Sequence, residues 1–457
     1  MQSVEQFLFQ LKDWIWGIPL LVFLLGTGIY LTVVLKGMQF RYLGYALTQI
    51  FIPQKKESEG DISPFEALMT SLAGAIGTGT VVGVTTAVTI GGFGALFWMW
   101  ITAFFGMATK YAESLLAVKY RKMDANGEML GGPMEYMERG LGWKWMALLF
   151  AFFGSVAAIG TGNLVQANAI VEAAQYMLPV DSLWIAIGLA ITLGLVLLGG
   201  VKSIGKVAGI LVPVMALFYF FGGLTIIGIN YDSVPSAFAL IFREAFSPTA
   251  AMGGVAGGGI LLVIQMGVSR SVFSNEAGMG ISSISAAAAK TDSPGRQAMI
   301  TMTGALISTV IMCTITGLVL AVSGVVGLKS ATGEAITGAS LTIHAFNSVV
   351  PGFGLIVSVG LILFAFSTLI AWAYYGEKCC EYLLGEKVIK YYRTFFVFVV
   401  IPGAMMKLEM VWFLADSING LMVIPNLFAL LLLKNVIVDE TNLFLEQIKL
   451  DSIKEVA

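Results

Sequence analysis

Apolar runs long enough to cross a membrane recur along the whole chain and are separated by short polar connections. A helix that spans a bilayer needs about 20 mostly apolar residues. The composition, 57% hydrophobic and 12% charged residues, agrees with an all-α polytopic membrane protein. The pattern predicts eleven transmembrane helices, over residues 17–36, 63–91, 94–118, 144–178, 183–200, 203–229, 253–282, 297–322, 351–383, 390–407 and 411–434.

The basic residues in the connections predict how the chain is oriented. Twenty of the 26 lysines and arginines fall on one side of the predicted spans, and only Lys12, Arg243, Lys329 and Lys407 fall on the other. Because Lys and Arg accumulate on the cytoplasmic side of a membrane, the N-terminus is expected outside and the C-terminus in the cytoplasm. The predicted location is the plasma (inner) membrane, with multiple passes through the lipid bilayer.

The second predicted span is interrupted half-way across. Residues 73–83 read AGAIGTGTVVG, with four glycines and two threonines. Each unpaired backbone polar group in hydrocarbon costs several kcal/mol, so such an interruption persists only beside a buried site or a cavity. The inner half-helix ends near residues 73–76 with carbonyl groups, which suit a cation or an ammonium group. The outer half-helix begins near Thr78, Gly79 and Thr80, where free N–H groups suit a carboxylate.

A second interruption is predicted in the seventh span, which runs in the opposite direction. Residues 253–259 are mostly glycine, and residues 267–276 include an arginine and a glutamate. Two interrupted helices of opposite direction, each leading five helices, indicate an inverted-repeat transporter with its site near the midplane. The alternative is that these glycines only allow close helix packing.

This pattern divides the chain into five parts. A first part with one span and its cytoplasmic loop precedes two five-helix repeats, which are joined by an extracellular loop and followed by a cytoplasmic tail. The predicted bounds, in that order along the chain, are 1–62, 63–229, 230–252, 253–434 and 435–457.

One stretch resembles a known family. Residues 91–106 read GGFGALFWMWITAFFG and resemble the signature of the alanine or glycine:cation symporter family. Residues 74–83, 271–278 and 366–372 also resemble that family, so the resemblance covers nearly the entire chain. It implies a LeuT-like fold of five plus five inverted helices with one additional N-terminal helix. It also implies uptake of alanine or glycine driven by sodium, with Na+ as the coupling ion and no organic cofactor.

The resemblance places a sodium site beside the first interruption. It implies that the hydroxyls of Ser367 and Thr368 complete a sodium site with carbonyls of the second span, those of Ala73 and Ile76. A hard cation prefers several oxygen ligands, and carbonyls with hydroxyls supply them without fixed charge. The alternative is that the two hydroxyls bond back to carbonyls of their own helix.

The remaining walls of the site are expected to select a small side chain. Phe273 and Trp372 are large and rigid, Met266 and Ile370 are apolar, and Ser274 follows Phe273 directly. A site closed by two aromatic rings admits alanine or glycine and disfavours leucine. Packing alone would also explain these aromatic residues. In the fourth span, the Gln166 amide either bonds polar groups of the substrate or serves interhelical hydrogen bonding.

Four ionisable residues within the spans form a separate group. Glu66, Lys110, Arg270 and Glu276 are predicted to form an inner gate or a structural charge network. Arg270 and Glu276 are assigned to the inner half of the seventh span. No Asp or Glu is placed at either interruption, which argues against a cationic amino acid and favours a neutral, zwitterionic substrate.

Other functional classes fit the sequence less well. A channel filter of carbonyl rings normally requires repeated subunits, and nothing here repeats fourfold. An intramembrane enzyme would need a nucleophile–base pair or metal ligands, which neither the cysteines nor His344, expected in a loop, provide. Within symport, proton coupling through Glu66 or Glu276 is the alternative to sodium. No basic cluster indicates nucleic acid, and no obligate protein partner is evident.

Overall fold

The computed structural model describes residues 10, 14–52, 58–246, 259–329, 333, 335–406 and 408–456, and the predicted glycine run at 253–258 lies outside them. Of these described residues, 83% are helical. Helices coincide with all eleven predicted spans, and most ends fall within a few residues of the predicted ones. By length and composition, six helices of the described part could cross a membrane, or seven if one bent pair counts as a single span. The count of eleven spans and the five-plus-five repeat stay predictions.

The first half of the chain forms ten helices and a short hairpin within the described residues. The helices are α1 Ile18–Val34, α2 Met38–Arg41, α3 Leu43–Gln49, α4 Pro64–Ala75, α5 Gly79–Gly91, α6 Gly94–Lys119, α7 Pro133–Glu135, α8 Lys144–Met177, α9 Ser182–Leu197 and α10 Gly200–Ile229. The hairpin pairs β1 Lys122–Met123 antiparallel with β2 Met129–Leu130.

The second half of the described chain continues the helical pattern. Its helices are α11 Val234–Ala245, α12 Gly259–Asn275, α13 Ser283–Ala287, α14 Pro294–Ser323, α15 Gly338–Val349, α16 Gly354–Leu384, α17 Ile389–Met405, α18 Leu408–Leu432 and α19 Lys434–Val456. Helices α11, α13, α15 and α19 lie outside the predicted spans. The expectation that His344 sits in a loop is wrong, because it lies exposed on α15.

Two helices organise the core. Helix α16 packs against α8, α10 and α4, while α6 packs against α14, α12 and α1. Helix α4 begins with a capping box, in which the Ser63 hydroxyl accepts from the Glu66 N–H and the Glu66 carboxylate accepts from the Ser63 N–H. The interrupted elements α4–α5 and α12–α13 therefore lie between the two packed groups, which is where a buried site can form.

Candidate functional site

The first interruption falls where the glycine pattern predicts it. Helix α4 ends at Ala75, Ile76 leaves the helical conformation with ψ of 79°, and α5 resumes at Gly79. The two half-helices are bent by 47°. Every residue from 67 to 85 is buried, so the opposed helix ends face the protein interior and not lipid.

Helix α16 meets the carbonyl end of this interruption through Thr368. Its Oγ1 lies 2.8 Å from the Ala73 carbonyl and 3.0 Å from the Phe364 carbonyl. A Cβ on Gly77 would lie 2.2 Å from the same Oγ1, so only glycine fits there. The Ser367 hydroxyl donates to the Phe364 carbonyl at 2.8 Å. Uncharged oxygens from two helices therefore converge at this point, and the donor set suits an alkali cation.

The N–H end of the interruption faces the end of α12. A Cβ on Gly79 would lie 2.8 Å from a ring carbon of Phe273, so α5 and α12 are in direct contact. The Thr80 hydroxyl donates to the Gly77 carbonyl at 2.9 Å. The buried Thr78 hydroxyl has no hydrogen-bond partner within the described residues. This end therefore retains a polar group available to a bound molecule.

Phe273 also belongs to a buried cluster on its other side. Its ring packs against Trp412 of α18 with centroids 4.6 Å apart. One turn before Phe273, the Arg270 guanidinium lies 4.7 Å from the Trp412 ring and contacts Asp416 at 3.2 and 2.5 Å. Because this pair joins α12 to α18 one turn from Phe273, it closes one side of the site.

The second interruption lies later than predicted. Helix α12 runs unbroken to Asn275, and the chain becomes irregular over residues 276–282. Gly267 lies within the helix, where a Cβ would approach Trp98 Cβ at 2.5 Å. Close packing, the alternative interpretation, therefore explains that glycine. Placing Arg270 on the inner half of the span is wrong, because it precedes the interruption.

The second interruption is held by protein side chains. Glu113 of α6 accepts from the Gly278 N–H at 2.9 Å, the Gly280 N–H at 3.1 Å and the Asn426 amide at 2.7 Å through a single oxygen. The Asn426 amide also lies 2.8 Å from the Gly278 carbonyl. Both glycines have positive φ. The freed backbone groups of this segment are thus satisfied internally.

Glu276 stands at the start of this second interruption, which corrects the expectation that no acidic residue lies at either one. It is one of two non-glycine residues with positive φ in the described part of the chain. Neither carboxylate oxygen has a hydrogen-bond partner within that part. The positive charge of Lys110 and the polar side chain of Trp372 both act on this carboxylate. A Cβ on Gly74 would lie 2.8 Å from its Oε1, so the carboxylate adjoins the first interruption.

Three further predicted residues are engaged with protein groups. The Ser274 hydroxyl lies 2.5 Å from that of Thr309 and donates to the Ser271 carbonyl at 3.1 Å. The Gln166 amide donates to the Thr161 carbonyl at 3.0 Å, while its buried oxygen has no partner within the described residues. Trp372 packs so closely on α8 that a Cβ on Gly162 would lie 2.2 Å from its Cβ.

Three other predicted residues remain, and the structure says less about the roles of the first two. Ile370 is fully buried in α16, and its contribution to a substrate wall stays a prediction. Glu66 caps α4, and its carboxylate lies 2.8 Å from both the N–H and the hydroxyl of Ser63. That local contact accounts for its position, and a role in a gate also stays a prediction. Lys110 donates to the Asn275 carbonyl at 2.8 Å and so contacts the end of α12 directly.

Of the four π-helical segments in the described chain, Tyr136–Gly140 follows α7 and the other three surround the two interruptions. They are Gly79–Gly83 in α5, Gly160–Leu164 in α8 and Leu306–Cys313 in α14. The second holds Gly162 against Trp372, and the third holds Thr309 against Ser274. Since π segments are rare and concentrate at functional sites, they mark the same region independently of the glycine pattern.

The opposite side is closed by Arg121, which follows α6. Its guanidinium donates to four backbone carbonyls and so ties the segment before α4 to the segment after α13. Burial raises the pKa of the neighbouring Asp61 carboxyl, while a hydrogen bond from the Met129 N–H opposes that rise. The four carbonyls are those of Ala287, Ala289, Thr291 and Glu59, at 2.9, 2.6, 2.8 and 2.9 Å.

Three of these residues were not assigned to the site from the sequence. Asp416 is the one acidic residue between Val411 and Leu432 of α18, and an acid at membrane depth is itself a signal. Glu113 was not assigned to the second interruption, although it lies one turn from Lys110 on α6. Asn426 carried no recognisable signal, because its role depends on how α18 packs against α6 and α12.

The chain is similar to known proteins over nearly its whole length. A profile of the Sodium:alanine symporter family matches residues 1–457. The chain is 52% identical over 440 residues to the sodium/alanine symporter AgcS of Methanococcus maripaludis, covering 95% of this chain and 96% of that protein. It is 37% identical to the probable sodium/glutamine symporter GlnT of Bacillus subtilis, covering 95% and 90%.

The chain belongs to the sodium:alanine symporter family. This is a family of multi-pass membrane transporters, which confirms the resemblance in residues 91–106. Among solved structures, MhsT in complex with L-phenylalanine is similar, with a TM-score of 0.61 at 13% identity, covering 84% of this chain and 93% of that chain. That likeness places the chain among proteins of the LeuT fold.

Proposed function

We propose that this protein is a sodium-coupled symporter that imports alanine, glycine or both by alternating access. The observation that carries the proposal is the contact between the Thr368 hydroxyl and the Ala73 carbonyl at the first interruption. It joins α16 to the break through uncharged oxygens. Sodium, as a transported substrate, would be held there by Ala73, Ile76, Ser367 and Thr368.

The amino acid would lie across the interruption beside this ion. Its carboxylate would accept from the backbone N–H groups near Gly79 and Thr80 and from the Thr78 hydroxyl, which has no partner within the described residues. Its side chain would face Phe273, whose ring already touches the backbone at Gly79. Because so little space separates ring and backbone, a methyl group or a hydrogen is favoured over a larger side chain.

The energy released by sodium entry is sufficient to accumulate the amino acid inside the cell. Moving one net positive charge inward with the solute yields about 2.3 kcal/mol per 100 mV of membrane potential. At about 1.4 kcal/mol per tenfold change, this alone supports roughly fortyfold accumulation. A sodium concentration gradient adds to it.

Alternating access would use the two closures as gates. The Arg270–Asp416 pair would close the site toward the outside, and the four carbonyl contacts of Arg121 would close it toward the cytoplasm. These assignments assume the orientation given by the basic residues, with the N-terminus outside. In both gates, a single arginine links separate elements of the chain, so each can open without disrupting a helix.

The proposal is tested by alanine uptake into proteoliposomes with sodium and proton gradients imposed separately. We expect an inward sodium gradient to drive uptake above the equilibrium level and an inward proton gradient alone to leave it at equilibrium. Potassium-for-sodium substitution is the control for the membrane potential. Uptake that ignores sodium would overturn the proposal.

Proton coupling is a second candidate, favoured by one observation. Glu276 is buried beside the first interruption, and its carboxylate has no hydrogen-bond partner within the described residues. A carboxyl group in that position can carry a proton. The test is Glu276→Gln, which retains the shape and removes the titratable group. Proton coupling predicts that accumulation is lost while alanine exchange across the membrane survives. Sodium coupling predicts that sodium-driven accumulation survives with altered rate.

A further inference from the structure

An open groove among the described residues lies away from both interruptions. It has a volume of about 830 Å³ and runs between the end of α9 and the start of α17. The hairpin connection contributes Asn126 and Glu128 to its rim. The elements that form it lie on the side of the protein that carries most lysines and arginines, and hence, by the charge rule, on the cytoplasmic side.

One wall of this groove is apolar and faces outward. Ile191, Leu195 and Leu198 of α9 line it, as does Phe398 of α17. These four side chains are between 60% and 80% exposed. In a membrane protein, such a surface contacts acyl chains. A groove between two helices, with apolar side chains along its length, fits a single hydrocarbon chain better than a soluble ligand.

The mouth of the groove is basic. Lys387 and Lys390 line it, and neither ammonium group has an ion-pair or hydrogen-bond partner within the described residues. Both side chains are exposed. Lys387 lies in the 3₁₀ turn Glu386–Val388 that leads into α17, and Lys390 lies in the first turn of α17, so the two lysines are three residues apart and near each other. The two positive charges are thus available to an anion at the end of the apolar wall.

The other charges at the mouth are already engaged. Arg393 donates to Glu377 at 2.5 and 2.8 Å. Glu128 pairs with Lys378 at 3.1 Å. Glu386 accepts from the Ala125 N–H at 2.7 Å. Lys378 also pairs with Asp124 and Glu381, and the Glu386 carboxylate lies within 4.8 Å of those two. The carboxylates at the mouth thus have protein partners, whereas the ammonium groups of Lys387 and Lys390 have none within the described residues.

We propose that this groove is a binding site for an anionic phospholipid of the cytoplasmic leaflet. The lipid phosphate would lie between Lys387 and Lys390, and one acyl chain would follow Leu195 and Phe398. This charge complementarity, at the end of an apolar wall and on the predicted cytoplasmic side, is the arrangement in which basic pockets between membrane helices hold lipid headgroups. The site is independent of the sodium and amino-acid sites.

The test is lipid binding to the purified full-length protein by native mass spectrometry, with phosphatidylglycerol and phosphatidylcholine as probes. The unmodified protein is expected to retain phosphatidylglycerol in preference to phosphatidylcholine. Removing each lysine charge should weaken phosphatidylglycerol binding roughly fivefold, so Lys387→Gln with Lys390→Gln should abolish the preference. Leu195→Asn should weaken both lipids equally, because it alters the acyl wall and not the charge.

The matched control is Lys202→Gln with Lys206→Gln, which removes two exposed lysines from α10 on the same predicted side. It should leave the preference unchanged, and all variants should retain the thermal unfolding midpoint of the unmodified protein. Equal loss in both double variants would assign binding to general surface charge and overturn the proposal. Equal binding of both lipids would overturn the proposal as well. So would a dimer of the protein that retains no lipid and dissociates in Lys387→Gln with Lys390→Gln, because the groove would then be occupied by a second copy of the chain.

Discussion

The two interrupted helices differ in which groups form hydrogen bonds with the backbone at the interruption. At the first interruption, between α4 and α5, the Thr78 hydroxyl and the adjoining Glu276 carboxylate have no hydrogen-bond partner within the described residues, and the contacts of Thr368 and Thr80 join hydroxyls to carbonyls. At the second, after α12, Glu113 and Asn426 take up the backbone groups of Gly278 and Gly280. The first is therefore available to a transported molecule, whereas the second is fixed by the protein.

This difference separates the roles of binding and support. A backbone segment satisfied by buried side chains is rigid and costly to change, because each partner that is removed leaves a buried polar group unpaired. A segment in which only some polar groups have hydrogen-bond partners leaves the other groups free to bind a ligand. Mutations at the second interruption should therefore affect folding first, and mutations at the first should affect coupling and selectivity in a folded protein.

The largest effect is expected from Glu113→Ala. It removes the acceptor of three hydrogen bonds and leaves Lys110 without one of its two carboxylate neighbours. Removing one member of a buried charged group costs about 3–5 kcal/mol of the free energy of unfolding. The measurement is the thermal unfolding midpoint and folded yield in detergent. Glu66→Ala, which removes a partly exposed capping carboxylate, is the control and should cost about 1 kcal/mol. Equal effects of both would contradict the assignment of support to the second interruption.

An intermediate effect is expected from Gly77→Ala. The added methyl group would lie 2.2 Å from Thr368 Oγ1, so that hydroxyl must move away from the break. Overpacking of about 1–3 kcal/mol should weaken sodium activation of uptake by roughly tenfold to a hundredfold, while the protein remains folded.

Gly83→Ala is the matched control for that change. Its methyl group would meet its nearest neighbours at 3.8 and 3.9 Å, which is ordinary contact. It should leave the sodium dependence of uptake within about twofold of the unmodified protein. If the two alanine variants behave alike, the contact between Gly77 and Thr368 has no special role in coupling.

The smallest effect is expected from Phe273→Leu. A smaller side chain beside Gly79 enlarges the space for the substrate, and discrimination by one methylene is worth about 1–3 kcal/mol. Competition for alanine uptake by leucine or glutamine should therefore improve, with alanine transport retained. Phe150→Leu, a buried change in α8, should leave the competition profile unaltered. An unchanged profile in Phe273→Leu would remove that ring from the substrate wall.

The sequence predicts the spans and the first interruption well because their signals are local. Apolar runs give the helices, and glycine with threonine inside such a run indicates a break at residues 76–78. The second interruption was misplaced because glycine has two uses that sequence alone does not separate. Gly267 permits close packing on Trp98 within a helix, whereas Gly278 and Gly280 supply the positive φ of the break.

The remaining misses depend on contacts between distant parts of the chain. Asp416 is recognisable as a charge within a span, but its pairing with Arg270 requires α18 to lie beside α12. The Glu276 carboxylate adjoins Gly74 only because the two interruptions meet. Such contacts, between residues far apart in sequence, are set by helix packing and not by periodicity.

The central claim is that sodium and amino acid bind together at the first interruption, with Thr368 completing the ion site. Its most direct test is equilibrium binding of alanine to the purified protein, with and without sodium, for the unmodified chain and Thr368→Val. We predict that sodium strengthens alanine binding to the unmodified protein, and that Thr368→Val binds alanine with the weak affinity seen without sodium at every sodium concentration. Undiminished strengthening by sodium in Thr368→Val would contradict the account.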